Sequence, residues 1–496
     1  MGSLIRKISM LSQATYGINI LEVDVPGGIR GVGEDAVGVV AELPWGPETT
    51  VTDINSVGEL FEQFCPTEFD VADDYAAMKA FLNKTFPGGL KISRVPVTGA
   101  AAASKTFNDD DPNPSLVATA RYKGVVGNGI KVEILAGSSG TKRSVKVTIG
   151  STYSKTYVDV QSGAVVTDPG DPFVEFTAHA SADEPAAVVA ATALTGGADG
   201  TAVAADYTGT APTYTGIRAF YPEGVKVGVL FVAEPPEALK DDINDGLLLY
   251  AQTVKKGVAV LCTKDGQSYS SAQTYVADYR DDRCVYPFPR VNTLNRYEDD
   301  PDEVEVDGSS FVAAAIVSVD PEVSPGGQPG AAALAGITSL EAEFEDAIYQ
   351  ELNDDGIAPF FMSTKLGCII RNGLTTSLTA GKEKIFRRRM TDFISESIAE
   401  FLEAYIERPL DLVLSPAPRL GPVTQQEYGE IVAFLQGMKD GNRIANYSVD
   451  PFGGNTAAGI AAGTWVILIS VQLYASQDVI VIKAAVGTSV VIAEAA

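Results

Sequence analysis

The chain has 496 residues, 45% of them hydrophobic, with 48 Gly, 27 Pro and a formal net charge of −27. That length calls for two to four domains with ample core, and the acidic balance argues against a nucleic-acid binder, which needs clustered Lys and Arg. A single histidine, His179, excludes histidine triads and multi-histidine metal centres, and the dispersed cysteines Cys65, Cys262, Cys284 and Cys368 suggest neither a zinc site nor a disulfide framework.

No stretch reaches the roughly 18 apolar residues of a membrane-crossing helix. No long apolar region follows Arg6 and Lys7, so no signal peptide is expected. Residues 1–30 read as an extended arm. Leu21, Val23 and Val25 share one face of a strand, Ile18 and Ile20 the other, and Pro26-Gly27-Gly28 ends it. Such a strand either edges the next domain or pairs with another chain. Residues 31–98 read as α/β. Ala36–Ala41 is a short buried strand and Leu43–Pro47 a turn. Asn55–Phe64 is a helix, with Asn55 or Ser56 as N-cap and Glu59 near the third helical position. Ala72–Phe86 is a second helix, stopped by Pro87-Gly88-Gly89, and Leu90–Val97 the next strand.

Residues 99–215 change character. Ala100–Ser104 and Asn108–Pro114 look like linkers. Short alternating runs follow at Lys131–Leu135, Ser144–Ile149 and Tyr153–Val160, the pattern of a β-rich insertion. His179 reads as a surface residue there, and Gly196–Thr215 as a second connection. Residues 216–320 return to α/β: strands Val225–Ala233 and Val258–Cys262 flank a helix at Asp241–Lys256, a βαβ unit. Ala272–Arg280 is a further helix and Phe311–Val319 a short apolar run. The acidic run from Glu298 to Asp307 lacks EF-hand spacing and reads as a solvated loop.

After the turn-rich Ser324–Gly330, Ser339–Asn353 is expected to be helical and Ile357–Arg371 extended. Lys382–Arg408 is the longest helix signal, roughly 40 Å at ~1.5 Å per residue, and it ends before Pro409. Lys382, Lys384, Arg387, Arg388 and Arg389 crowd its start, where the macrodipole disfavours cations. They mark either an interaction surface or local neutralisation of acidic neighbours. Thr424–Lys439 is another amphipathic helix. The chain closes on β-prone runs: Ile467–Leu473 in strict alternation, then Val479, Ile480, Val481 and Ile482, and after Gly487 the run Val490, Val491 and Ile492. Left unpaired, these strands would also recruit another chain.

No phosphate loop, nucleophile elbow, HExxH or strand–GxGxxG–helix unit is present, so no catalytic residue, cofactor or metal is expected.

Several stretches together resemble contractile tail sheath proteins of myophages and contractile injection systems. Tyr16–Val23 is similar to the opening "PGVYIxEV" strand without its proline, and Val37–Pro47 to "FVGxAxxGP". Asn55–Phe64 resembles "SxxEFxxxFG", and Tyr75–Val95 the segment ending in "NGGxxxYVVRV". Gly124–Val132 looks like the "PGxWGNxIxV" entry to an inserted domain, with Val126 in the tryptophan's place. Leu352–Ile357 resembles "LNxxGIN", and Phe386–Ile398 the "VRRLxxxIxxSI" helix.

The resemblance implies an α/β and α+β multidomain fold: a conserved sheath core with an inserted β-rich domain and extended N- and C-terminal strand arms. The corresponding segments are an N-terminal arm (1–30), an α/β domain in two parts (31–98 and 216–330), the insertion (99–215), a conserved C-terminal domain (331–475) and a C-terminal arm (476–496). It also implies a non-enzymatic subunit of a virion tail, assembled in the host cytoplasm. Partners would be further copies in a helical polymer of stacked hexameric rings, an inner tube protein, and baseplate and terminator proteins. No nucleic acid or membrane insertion is expected. The arm strands (Ile18, Ile20, Leu21, Val23, Val25; Val479–Ile482, Val490–Ile492) would be exchanged between subunits by β-augmentation, and Lys382, Lys384 and Arg387–Arg389 would face the tube. The competing readings are a hydrolase on an α/β scaffold, which predicts a pocket with converging carboxylates, and a surface-layer or adhesin protein, which predicts export and calcium dependence.

Overall fold

The computed structural model describes residues 36–64, 89–222, 224–225, 227–294, 303–327, 334, 336–475, 482–485 and 491–494. These divide into two compact units. The larger comprises the described residues of Val32–Ser395, Arg443–Ala445 and Gln472–Ala496, and the smaller Glu396–Asn442 and Asn446–Val471.

The larger unit starts with β1 (Val37–Ala41), β2 (Thr52–Ile54), helix α1 (Val57–Phe64) and β3 (Leu90–Arg94). The helix begins where the capping pattern predicts. The Glu59 N–H donates to Ser56 Oγ (3.2 Å), and the Glu59 carboxylate accepts from the Asn55 N–H (2.7 Å). The predicted helix at Ala72–Phe86 lies outside the described residues.

From β3 the chain enters a β-rich stretch: β4 (Ser104–Asn108), β5 (Pro114–Ala120), β6 (Ile130–Ala136), β7 (Lys142–Ile149), β8 (Tyr153–Ser162), β9 (Val165–Val166), β10 (Val174–Ala178) and β11 (Val189–Ala193). They form a three-stranded sheet, β10-β5-β4, and a five-stranded one, β11-β6-β7-β8-β9, around a core of their own. The segments with linker composition are more ordered than expected. At Asn108–Pro114 the Asp109 carboxylate accepts from the N–H groups of Asp111 and Asn113, so polar side chains build a tight hairpin turn. Within Gly196–Thr215 sits helix α2 (Ala204–Thr208). Its Tyr207 is buried and donates to Glu42, while Asp206 accepts from the backbone and hydroxyl of Thr98.

The chain then returns to the first sheet with β12 (Val229–Val232), α3 (Lys240–Val254), β13 (Val258–Val260), α4 (Tyr269–Val276) and β14 (Cys284–Val285). The sheet order is β14-β13-β12-β1-β3-β2, parallel throughout except for the antiparallel edge β2. Near-continuous apolar strands of this kind belong to a sheet covered on both faces. Val37, Val39, Phe231 and Val260 pack on one side with α5 (Ser309–Val317), all of whose residues are buried. Val40, Leu230, Val232 and Ala259 pack on the other with Ile243, Leu247 and Val276 of α3 and α4.

Small sheets follow: β15 (Pro287–Phe288) with β19 (Ala358–Ser363) and β20 (Gly367–Ile370), and β16 (Val291–Leu294) between β17 (Glu303–Val306) and β18 (Ile337–Leu340). Ser339–Asn353 is therefore not one helix. Its start completes β18, which pairs with β16, and α6 begins only at Asp346 (Asp346–Asp354). β-Branched Ile337 and Thr338 suit the strand, and no apolar stripe runs through Glu341–Glu345.

Helix α7 (Ile385–Glu403) is 19 residues long, about 28 Å. It is shorter than predicted because Lys382–Lys384 belong to a loop, in which the Thr375 N–H bonds the Glu383 carbonyl and the Ile385 N–H bonds Gly373. The smaller unit adds α8 (Pro422–Asp440), β21 (Asn446–Asp450), α9 (Ala457–Ala461) and β22 (Leu468–Gln472). Asp411 caps α8, accepting from the N–H groups of Val423 and Thr424. β21 and β22 form a two-stranded sheet in which each strand alternates exposed and half-buried residues. The last described strands, β23 (Ile482–Ala485) and β24 (Val491–Glu494), pair antiparallel, Ile482 opposite Glu494 and Val491 opposite Ala485.

Candidate functional site

The basic segment before α7 is held by the subunit's own acids and carbonyls. Arg389 is 2% exposed, and its Nη1 donates to the carbonyls of Ile316 (2.7 Å) and Val319 (3.0 Å) at the C-terminal end of α5. A cation there is favourable, because a helix C-terminus carries partial negative charge. Arg388 reaches Asp392 (2.6 Å) and Asp282 (3.4 Å). Asp392 also takes a two-pronged pair from buried Arg283, at 2.5 and 2.7 Å. Arg387 pairs with Glu383 one turn back at 2.9 Å, and Lys382 lies 3.5 Å from Asp282. Lys384 is buried. The five charges are thus not one exposed patch. The unfavourable helix-start position is offset by Glu383, Asp282 and Asp392, and Arg389 serves a different helix's end. Lys382, with its side chain 60% exposed, and Arg387 are the cations this segment offers to solvent.

The terminal strands divide differently. Ile18, Ile20, Leu21, Val23 and Val25 lie outside the described residues, as do Val479, Ile480, Val481 and Val490. Ile482 falls in β23, and Val491 and Ile492 in β24, which are hydrogen-bonded to each other.

A second charged constellation was not anticipated from the sequence. It lies past the carboxyl ends of β12 and β13. Lys240 is fully buried, and its Nζ donates to the Thr263 carbonyl (2.8 Å) and Asp265 (2.6 Å), with Glu237 at 3.2 Å. Arg290 pairs with Glu234, Asp265 and Glu305, each at 2.8 Å. Asp307 is also fully buried and accepts from the N–H groups of Thr263 and Ser309. Burial, and then the nearby Glu234 carboxylate, push the Asp307 pKa up to about 6. Burial acts to lower the Lys240 pKa, but Asp307, Asp265 and Glu234 outweigh it and hold it above its ordinary value. The sequence signal was a lysine opening an apolar helix and a lone arginine between short strands, which carries no local meaning.

Among the described residues no group of His, Cys, Asp and Glu could hold a metal ion, and no helix is long and apolar enough to cross a membrane. Cys262, Cys284 and Cys368 are buried free thiols whose pKa values burial pushes up. His179 is half-buried and bonds Ser181.

No protein-family profile matches the sequence, and no curated protein does. Solved structures do match the fold along nearly its whole length. A sheath tail protein from Listeria innocua superposes with a TM-score of 0.65 at 16% identity, over 90% of this chain and 94% of that one. A sheath tail protein from Desulfitobacterium hafniense gives 0.60 at 14% identity, over 92% and 100%. The helical sheath of the anti-feeding prophage in its contracted state gives 0.57 at 13% identity, over 95% and 99%. The chain has the mixed α/β fold of contractile tail sheath proteins.

Proposed function

We propose that the chain is the structural subunit of a contractile tail sheath, with no enzymatic reaction of its own. It polymerises helically around an inner tube, engages a baseplate, and contracts to drive the tube through a cell envelope. The observation that carries this reading is the match to sheath proteins, which covers 90–95% of this chain and 94–100% of theirs. The two-stranded sheets support it further. Among the described residues β21 pairs only with β22, and β23 only with β24, and a lone pair of strands is marginal in water. Open edges of this kind suit a strand added from a neighbouring copy. Each added main-chain hydrogen bond contributes about 1 kcal/mol net, so a five-residue pairing supplies a few kcal/mol per contact, repeated along a non-closing helix.

For the tube-facing role, Lys382 and Arg387 are the members of the basic segment left to carry it. The test is negative-stain electron microscopy of the full chain beside a variant lacking residues 1–28. Striated tubes from the first and monomers from the second are expected. If neither polymerises, even with tube protein added, the sheath reading fails.

A further inference from the structure

We infer that a cleft beside α1 binds a pyranose ring of a carbohydrate, a role that goes beyond and does not depend on the sheath reading. The cleft has a volume of about 630 Å³, within the usual range for small-molecule sites. It opens where the end of α1 meets the turns before β8 and β10. Its walls are aromatic: Tyr122 stands edge-on to Trp45 (5.3 Å, 85°) and Tyr153 edge-on to Phe173 (4.7 Å, 73°). Trp45 and Phe173 are buried and brace the two half-buried tyrosines.

The polar groups are fixed as firmly. Asp171 is fully buried. One of its oxygens accepts from the N–H groups of Phe173 and Val174, and the other from the Tyr153 hydroxyl at 2.7 Å. Arg121 is anchored by the Asp171 carbonyl and by Asp168. Burial, and then its bonds to Tyr157 and Asp171, raise the Tyr153 pKa, so this phenol stays neutral. At the rim, exposed Glu62 and Gln63 add a carboxylate and an amide. A rigid aromatic wall beside donors and acceptors of both kinds fits a ring with one C–H face and several hydroxyls. The aromatic ring covers that face, and Glu62 and Gln63, with the Arg121 Nη1 that its two anchors leave over, read the hydroxyls. A peptide strand would instead need an open backbone edge, and a phosphate would meet Glu62 and Asp171 with no lysine in the lining.

The test is saturation-transfer difference NMR on the intact chain. The probes are methyl α-glucopyranoside, methyl α-mannopyranoside, methyl β-galactopyranoside and N-acetylglucosamine at millimolar concentrations. At least one should bind, and Glu62→Ala with Gln63→Ala, both at exposed positions, should weaken it by about tenfold or more. Tyr122→Ala should do the same, with circular dichroism confirming that the variant is folded. No signal from any of the four sugars overturns the proposal. So does binding unchanged in the Glu62/Gln63 double variant, which would put the sugar elsewhere. If the intact chain binds none of the sugars and that variant loses self-assembly, the cleft is instead a seat for a second copy of the chain.

Discussion

Replacing Arg389 with alanine tests whether the basic segment is built into the subunit's own interior. The guanidinium is buried and bonds the carbonyl of Ile316, in the last turn of α5, where carbonyls lack intrahelical donors, and that of Val319 just beyond it. A hydrogen bond involving a charged group contributes about 1.5–3 kcal/mol, and a well-placed cation at a helix C-terminus up to about 2 kcal/mol. These contributions overlap rather than add. Arg389→Ala is therefore expected to cost about 2–3 kcal/mol, as for leaving buried carbonyl acceptors without their charged donor. That is a large fraction of the roughly 5–15 kcal/mol that holds a typical domain. The assay is urea unfolding of the unassembled subunit followed by Trp45 fluorescence in a Trp465→Phe background, since Trp45 is buried in the same unit as Arg389 and Trp465 lies in the other. A lower midpoint at unchanged slope is the expected result. Arg389→Lys should recover only part of the loss, because lysine keeps the charge and not the planar fork. A destabilisation below about 1 kcal/mol for Arg389→Ala would refute the reasoning.

Charge reversal at the exposed pair, Lys382→Glu with Arg387→Glu, should leave unfolding nearly unchanged but weaken tube-dependent assembly; normal assembly at low and high salt would remove these residues from the tube contact. The Asp307 carboxyl, raised to about 6 in the fold against about 3.9 in the unfolded chain, binds its proton more tightly when folded. Its contribution to stability is therefore present below about pH 4 and is lost as pH rises through about 6, a change on the order of 3 kcal/mol. Asp307→Asn should remove this falling component when unfolding is compared at pH 5 and pH 7, and parallel pH slopes in variant and wild type would contradict the assignment. Ser56→Ala removes the cap on α1 and should cost about 1 kcal/mol by thermal unfolding. Gly38→Ala would set a Cβ 2.9 Å from Leu230 Cδ1 and from Phe220 Cε1, an overpacking cost of about 1–3 kcal/mol in the same assay.

What was legible in the sequence is what local chemistry determines. Ser56 and Glu59 announced a helix start, and the apolar strands around Asp241–Lys256 announced a βαβ unit. Three residues to a turn or two to a pleat are within reach of such reading. What was not legible was set by partners far along the chain. Arg283 and Asp392 are 109 positions apart, and Arg389 and Ile316 are 73 apart, so the sequence left the basic segment open between an interaction surface and local neutralisation. Composition also misled. Asp109 and Asp206 sit in segments that looked like linkers, yet their carboxylates hold backbone N–H groups and replace the missing sheet or helix bonds. Ile337 and Thr338 joined a strand because β16 offered an edge, which no local pattern in Ser339–Asn353 reveals.

The same long-range view bears on the choice between a scaffold and an enzyme. In an open parallel sheet the ligand site lies beyond the carboxyl ends of the strands, where the strand order reverses. Here the order reverses between β1 and β12. Beyond β12 stands Glu234, accepting from Arg290 and from the Asp307 N–H, and beside it Lys240 fills the interior between the Thr263 carbonyl and Asp265. Glu234, Asp265 and Asp307, the carboxylates that converge there, are already engaged by the buried cations Lys240 and Arg290 and by the backbone N–H groups of Thr263, Asp307 and Ser309. An exposed crevice at this position would serve a substrate, whereas a buried ionic cluster stiffens the sheet it sits on. Stiffness of that kind is in keeping with the structural sheath subunit proposed above.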